Sequence, residues 1–202
     1  MKRILMGITM VISLLVGTSC TSNIALPNNL NEIEEYCENN GYNNKYCILV
    51  NFSQHSGKNR FYIYDFSKKK VLYKSVCAHG LGVCDNLGQI IVKTFQSANK
   101  PSFSNQPGSN FSSLGKYKVG YLRPMTNPYY KEGFTLHGLD ATNSNALQRA
   151  ILIHRGNVPF VTYPLPCLPV SKGCFSVSNA MMKHIKHICN NTQKPLLLYA
   201  YQ

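Results

Sequence analysis

Residues 151–178 read ILIHRGNVPFVTYPLPCLPVSKGCFSVS, and the two ends of this stretch carry information on both fold and chemistry. The apolar run ILI leads into His154, a pattern typical of a buried strand with a polar residue at its end. Sixteen residues then separate His154 from Ser171-Lys172-Gly173-Cys174. The stretch therefore predicts a strand that ends near His154, and its two ends carry a histidine and a cysteine, residue types suited to acid–base and nucleophilic chemistry.

A cysteine beside a histidine is suited to attack on a carbonyl group. A free cysteine with a pKa of about 8.5 supplies only a few per cent of thiolate at neutral pH, so a base has to take its proton. His154 suits that role and, once protonated, would hold the Cys174 thiolate in an ion pair. Gly173 lets the backbone approach a substrate, so the amides of Gly173 and Cys174, with that of Lys172, are expected to bind the developing oxyanion. Ser171 is expected to fix this turn by hydrogen bonding to its own backbone.

This stretch resembles the signature of the murein L,D-transpeptidase catalytic-domain family, in which His-Gly is followed at a similar distance by Ser-x-Gly-Cys. Other segments resemble the family in the same order: GLG after His79, FSNQPGSNFSSLGKYKVG at 103–120, LHGLD at 136–140 and NALQRAILIHRG at 145–156. The similarity covers about residues 45–178. It implies an L,D-transpeptidase-like β-sandwich or partly closed barrel, with Cys174 as nucleophile, His154 as base and no metal or organic cofactor.

Further residues are candidates for contact with the substrate. His79 and His137 each precede a glycine at the end of a predicted strand, so both are expected to line the groove, and each is a rival base to His154. The segment at 103–120 adds three polar candidates at lower rank: Ser104, Asn105 and Ser112.

Two positions depart from the family pattern. Arg155 follows the histidine where the family usually has a small residue; its carbonyl can still orient the imidazole, and its guanidinium is a candidate for holding a substrate carboxylate. Ser176 lies two residues after the cysteine, where many members have arginine. Because of these departures, the substrate is less firmly implied by the resemblance than the chemistry is. The thiol, the base and the backbone amides expected to bind the oxyanion are all retained.

The resemblance implies that the substrate is a peptidoglycan tetrapeptide stem, whose acyl group passes through a Cys174 thioester to an amine or to water. A sortase-like thiol transpeptidase is one alternative, although it expects an arginine after the cysteine and none follows Cys174. A catalytically silent wall-binding envelope lipoprotein is the other, with Cys174 paired to Cys167 or Cys189.

The first twenty residues predict export. Lys2 and Arg3 precede an apolar run from Ile4 to Val16, and small residues lead to Cys20. The run makes roughly 20 Å of helix, shorter than the about 30 Å of a bilayer core, so a signal peptide is favoured over a membrane span. Cys20 resembles a lipoprotein processing site with Gly17 in place of the usual leucine, so lipid anchoring and plain cleavage both stay open.

The exported part of the chain is strongly basic. Without residues 1–19 it keeps 19 basic and 8 acidic side chains, a net charge of +11 compared with +13 for the whole chain. Such a charge attracts polyanions, which outside the cytoplasm are wall carboxylates and anionic lipid head groups. Export fits badly with a nucleic-acid partner, and the charge is equally compatible with a surface that is merely soluble.

Six of the eight cysteines remain when Cys20 and Cys174 are set aside, and export places them where disulfides persist. Cys37–Cys47 and Cys77–Cys84 are the pairs we expect, because each would close a short loop, with free buried thiols as the alternative. No zinc-binding spacing of cysteine and histidine is present in the sequence.

The sequence divides into a signal peptide at 1–20, a linker with a short helix at 21–44 and a catalytic domain at 45–202. Alternating apolar and polar residues, with a final apolar run, predict strands at 45–52, 60–66, 71–78, 116–122, 133–139, 150–156 and 196–201. Helices are expected at 31–39 and 145–149 and within 176–191, with long ordered loops between Gly80 and Gly115. The fold is thus expected to be mainly β with two or three short helices.

Overall fold

The computed structural model describes residues 24–126, 130–156, 162–168 and 170–202. The predicted signal peptide and the candidate lipidation site Cys20 lie outside the described residues. Within the described residues, no helix has the length and apolar character needed to cross a membrane.

Twelve elements follow one another along the described chain. They are α1 (Leu30–Asn39), β1 (Tyr46–Asn51), β2 (Phe61–Asp65), β3 (Lys70–Ser75), β4 (Cys77–Ala78), α2 (Leu87–Gln96), β5 (Gly115–Pro124), β6 (Glu132–Gly138), β7 (Leu152–Arg155), β8 (Phe175–Val177), α3 (Asn179–Asn190) and β9 (Leu197–Tyr201).

All nine strands belong to one sheet, in the order β3-β2-β1-β9-β5-β6-β7-β8-β4. Its two edge strands, β3 and β4, are consecutive in the chain and are separated by Val76 alone. The sheet therefore curls until its edges come together, which makes it a nearly closed barrel. This confirms the expected mainly β fold with a partly closed sheet and two or three short helices, of which the described residues contain three.

Both faces of the sheet are covered. One face packs around strand residues such as Ile48, Phe61 and Ile153, together with the apolar stripe of α3. Ser178 caps α3 by accepting a hydrogen bond from the Met181 amide, as expected for a helix that begins directly after β8. The other face is covered by α1, which buries Ile33 against the strands.

The middle of the chain departs from the sequence expectation. Residues 87–96 form α2, capped by the Asn86 side chain, where only loops were expected. Residues 145–149 form successive turns, so the helix predicted there is wrong. The three-residue strand β8 was not predicted, because a run this short has no readable alternation.

All seven cysteines in the described residues are free thiols. The predicted disulfides Cys37–Cys47 and Cys77–Cys84 are therefore wrong for this structure. Cys37 and Cys47 pack as thiols in the apolar cluster under α1, whereas Cys77 points into the main core and Cys84 lines a cavity. The described residues contain no cluster of three side chains able to hold a metal ion.

Candidate active site

Cys174 and His154 line one cavity of about 500 Å³ beside β7 and the start of β8. The remaining lining residues come from the loop before α2, from α2 and from the segments around 110, 130 and 170: Leu81, Gly82, Cys84, Ile90, Asn110, Tyr130, Val170, Ser171 and Lys172. The predicted meeting of the cysteine and the histidine in one cleft is thus present in the structure.

The strand register explains this meeting. β7 and β8 run parallel, with Ile153 beside Phe175 and His154 beside Ser176. Cys174, one residue before Phe175, therefore lies beside Leu152 and leaves the sheet on the same face as His154. Cys174 and His154 are therefore on neighbouring strands and offset by two residues. With a strand spacing of about 4.8 Å and a rise of about 3.3 Å per residue, their Cα atoms are about 8 Å apart, so their side chains can both reach a bound substrate group.

The Cys174 thiol is half-buried and its surroundings favour the neutral form. Its Sγ donates to the Ala150 carbonyl at 3.7 Å. Burial raises the pKa of Cys174 from 9.0 to about 11, although a hydrogen bond from the Leu152 backbone and the charge of Arg149 act in the opposite direction. The surroundings of the cysteine therefore favour the neutral thiol over a preformed thiolate.

His154 is oriented to accept a proton from the cavity side. Its Nδ1–H donates to the Arg155 carbonyl at 2.9 Å, which leaves Nε2 as the basic nitrogen. Burial lowers the pKa of His154, opposed by this hydrogen bond, so the imidazole is neutral at pH 7. The Tyr130 ring stacks on the imidazole with a centroid distance of 4.0 Å and an interplanar angle of 19°. The Arg155 carbonyl thus orients the ring as expected despite the large side chain.

The turn before Cys174 is held by three hydroxyl hydrogen bonds. Ser171 Oγ donates to the Cys174 carbonyl at 2.6 Å and accepts from the Gly173 amide at 3.2 Å. From the other side, the buried Ser112 Oγ donates to the Gly173 carbonyl at 3.0 Å. Gly173 has a φ of +110°, which side-chain-bearing residues rarely adopt. The expected backbone hydrogen bonding of Ser171 is therefore present.

Of the three backbone amides expected to bind the oxyanion, that of Gly173 is already engaged. Because the Gly173 amide already donates to Ser171 Oγ, it is less suited to this role than predicted. Within the described residues, the amides of Lys172 and Cys174 donate to no side chain and to no loop carbonyl. These two amides are accordingly the candidates for binding a developing negative charge.

Arg149 is a site residue that the sequence did not reveal. Its guanidinium donates to the Ser104 carbonyl at 2.7 Å, to Ser113 Oγ at 2.8 Å and to the Phe111 carbonyl. From this position, beneath the Gly173 turn, its charge lowers the pKa of the Cys174 thiol. Arg149 lies within the family-like segment at 145–156, but no local pattern assigned it this role, because its contacts are with residues 36 to 45 positions away.

The two rival histidines lie elsewhere. His79 is buried, and its Nδ1 accepts a hydrogen bond from the Arg60 guanidinium at 2.7 Å. Burial and the charge of Arg60 lower the pKa of His79 to about 3. His137 lies on β6 against Gly120. Neither histidine is among the described residues that line the cavity.

Of the other five predicted substrate contacts, one borders the cavity and four support the site from behind. Lys172 is exposed at the rim of the cavity. Ser104 supports Arg149 through its carbonyl, and Asn105 binds the turn at 141–145. Ser112 braces the Cys174 turn, and Arg155 contributes its carbonyl to His154. Four of these five residues therefore hold the frame of the site, and one borders its opening.

A family model described as the L,D-transpeptidase catalytic domain matches residues 20–201. A comparison with curated protein sequences finds no match.

Several solved structures are similar in fold. The helical cell shape determining protein Pgp2 from Campylobacter jejuni is 14% identical, with a TM-score of 0.49 over 78% of this chain and 48% of its own. The L,D-transpeptidase from Xylanimonas cellulosilytica is 11% identical, with a TM-score of 0.43 over 83% of this chain and 68% of its own. The L,D-transpeptidase from Mycobacterium smegmatis is 11% identical, with a TM-score of 0.42 over 78% of this chain and 59% of its own. The chain thus spans about half the length of the first of these proteins.

Proposed function

The chain belongs to the L,D-transpeptidase catalytic-domain family, and we propose that it is a cysteine-dependent peptidoglycan L,D-transpeptidase. The observation that carries the proposal is the shared cavity in which the Cys174 thiol and the basic Nε2 of His154 open onto the same space. The free state of the Cys174 thiol is also needed, because a disulfide at this position would block attack.

The reaction begins when substrate enters the cavity. His154 Nε2 takes the thiol proton as Sγ attacks the carbonyl of the third stem residue, and the amides of Lys172 and Cys174 bind the oxyanion. Collapse of the tetrahedral intermediate breaks the peptide bond, and the proton on His154 passes to the departing D-Ala amine. The remaining acyl group is then a thioester on Cys174.

The second half of the reaction releases the acyl group. An acceptor amine attacks the thioester, His154 takes the amine proton, and the thiol of Cys174 is regenerated. If water is the acceptor instead, the same residues make the protein an L,D-carboxypeptidase. The basic charge of the chain suits a substrate that carries stem carboxylates.

The test combines acylation with turnover. A carbapenem should add its mass once to the parent protein, and a tetrapeptide stem should lose D-Ala. Cys174→Ala should abolish both, whereas Cys84→Ala, which removes another thiol from the same cavity, should retain both. His154→Ala should slow acylation by about 100-fold or more, with His137→Ala as the matched histidine control.

Two results would overturn the proposal. D-Ala release by Cys174→Ala would show that another group is the nucleophile. A parent protein that binds peptidoglycan but neither reacts with the carbapenem nor releases D-Ala would favour a silent wall-binding protein.

A further inference from the structure

The helix α2 carries its apolar side chains on its exposed surface. Leu87, Ile91 and Phe95 follow each other at intervals of four residues and are 70%, 51% and 56% exposed. Val92 on the same side and Val83 just before the helix are each 54% exposed. These five residues, which we call the α2 face, are half of the ten large apolar side chains exposed in the described residues.

This burial pattern is the reverse of that of an ordinary surface helix. Thr94 is the one residue of α2 that is buried, and Ile90 beside it lines the active-site cavity. A helix at the surface of a globular protein normally turns its apolar stripe inward, and a contiguous exposed patch marks an interaction surface. The α2 face therefore has to be explained by something that covers it.

The charges around the α2 face favour an anionic partner. Helix α2 has no acidic residue, Lys93 lies on its flank and Lys100 follows its end. Lys172 lies on the rim of the adjoining cavity. Asp85 is the one acidic residue between positions 66 and 131 of the sequence. Apolar side chains with a cationic rim are the pattern of helices that lie in the interface of an anionic bilayer.

The position of the N-terminal segment points to the same partner. The Ser56 amide donates to the Ala98 carbonyl at 2.8 Å, two residues beyond the end of α2. The next residue, Gly57, lines a cavity of about 520 Å³ together with Ile24 and the exposed Tyr163. Ile24 is the first described residue, and four extended residues span at most about 14 Å. A lipid on Cys20 would therefore lie within a short reach of this region.

We propose that the α2 face docks on the surface of an anionic lipid bilayer. Leu87, Ile91 and Phe95 enter the boundary between head groups and acyl chains, and Lys93 and Lys100 lie at the level of the phosphates. This binding is independent of the chemistry at Cys174 and adds an attachment to any lipid carried by Cys20.

Sedimentation with lipid vesicles tests the proposal. The protein is isolated after export with Cys20→Ser, so that no covalent lipid contributes, and is mixed with vesicles of phosphatidylglycerol and phosphatidylcholine. The double variant Leu87→Ser/Phe95→Ser should bind about tenfold more weakly or worse, because two exposed apolar side chains leave the interface. The matched variant Tyr121→Ser/Leu147→Ser, which removes apolar side chains exposed elsewhere, should bind within twofold of the parent.

A charge variant completes the test. Lys100→Glu should weaken binding about fivefold or more, whereas Lys183→Glu on α3 should have little effect. Circular dichroism should be the same for all variants. Equal binding by the α2 variant and its matched control would overturn the proposal, as would equal binding to vesicles of pure phosphatidylcholine. A dimer in analytical ultracentrifugation that Leu87→Ser/Phe95→Ser dissociates, without a change in vesicle binding, would show instead that a second copy covers the face.

Discussion

The resting enzyme should contain a neutral Cys174 thiol beside a neutral imidazole, and not an ion pair. Burial raises the pKa of the thiol and lowers that of His154, so each group is driven toward its uncharged form. The thiol hydrogen bond to the Ala150 carbonyl is consistent with this state, because only a protonated sulfur can donate. Proton transfer to His154 would then accompany attack on the substrate instead of preceding it.

The structure gives the size of the effect. A pKa raised from 9.0 to about 11 means that at pH 7 only about one Cys174 in 10,000 is a thiolate. A thiol that kept the starting pKa of 9.0 would be about 1% ionised at the same pH, roughly a hundredfold more. Raising the pH from 7 to 11 should therefore convert Cys174 from almost fully protonated to about half ionised.

Thiolate absorbance near 240 nm measures this directly. The difference between the parent and Cys174→Ser isolates one cysteine from the others, and it should stay near zero at pH 7 and rise between pH 9 and 11. His154→Ala should leave the difference at pH 7 unchanged, because a neutral imidazole holds no thiolate there. A full thiolate signal at pH 7 that His154→Ala removes would refute the reasoning and restore the ion pair.

Four further outcomes follow from the same contacts. Because burial lowers the pKa of His154, the midpoint of the fall in carbapenem acylation on acidification should lie below 6.5, the ordinary histidine value, and a midpoint above pH 7 would contradict this. Tyr130→Leu should slow acylation about fivefold and Tyr130→Phe should not, since an aromatic ring stabilises the imidazolium by about 1 kcal/mol; equal rates would exclude such a contribution. Gly173→Ala should lower the free energy of unfolding by roughly 2–4 kcal/mol in urea titrations, because its Cβ would come within 2.8 Å of Ile151 Cδ1 and the Phe111 carbonyl oxygen at a positive φ. Ser112→Ala should lower the free energy of unfolding by about 2–4 kcal/mol, because it leaves the Gly80 amide and the Gly173 carbonyl unpaired. The control Ser102→Ala changes an exposed serine and should lower it by less than about 0.5 kcal/mol. Equal losses for the two variants would contradict this account.

Most of the sheet could be predicted because its strands coincide with short runs rich in apolar and aromatic residues, and every residue of β2 is buried. The runs at 45–52 and 60–66 contain the observed strands β1 and β2, and the apolar spacing after Cys174 predicted α3. Helix α2 was missed although Leu87, Ile91 and Phe95 recur at helical spacing, because the many glycine, serine, asparagine and proline residues between Gly80 and Gly115 favoured loops. The exposure of this apolar stripe, in contrast, could be learned only from the structure.

The candidate site shows a comparable division. The spacing from His154 to Cys174, which resembles that of the family, predicted their meeting. The parallel pairing of β7 and β8 brings it about, because Cys174 lies just before β8 and beside Leu152, two residues before His154. His79 and His137 each precede a glycine at the end of a strand, and His154 is one residue further from its glycine. Only His154 lines the cavity among the described residues. The difference is three-dimensional: His79 is held inward by the buried Arg60, a contact between residues nineteen positions apart that no local pattern reports.

Arg149 illustrates why a local departure from a family pattern need not remove a function. Many members carry arginine two residues after the cysteine, and here Ser176 occupies that position, buried beside His154 in the strand pair. The motif read by itself therefore contains no cation at this position next to the thiol. In the fold, Arg149 approaches the Gly173 turn from the other side, anchored by the Ser104 carbonyl and by Ser113, and its charge lowers the pKa of Cys174. A positive charge near the thiol depends on distance and not on chain order, so the site keeps this charge although the sequence motif has lost its arginine.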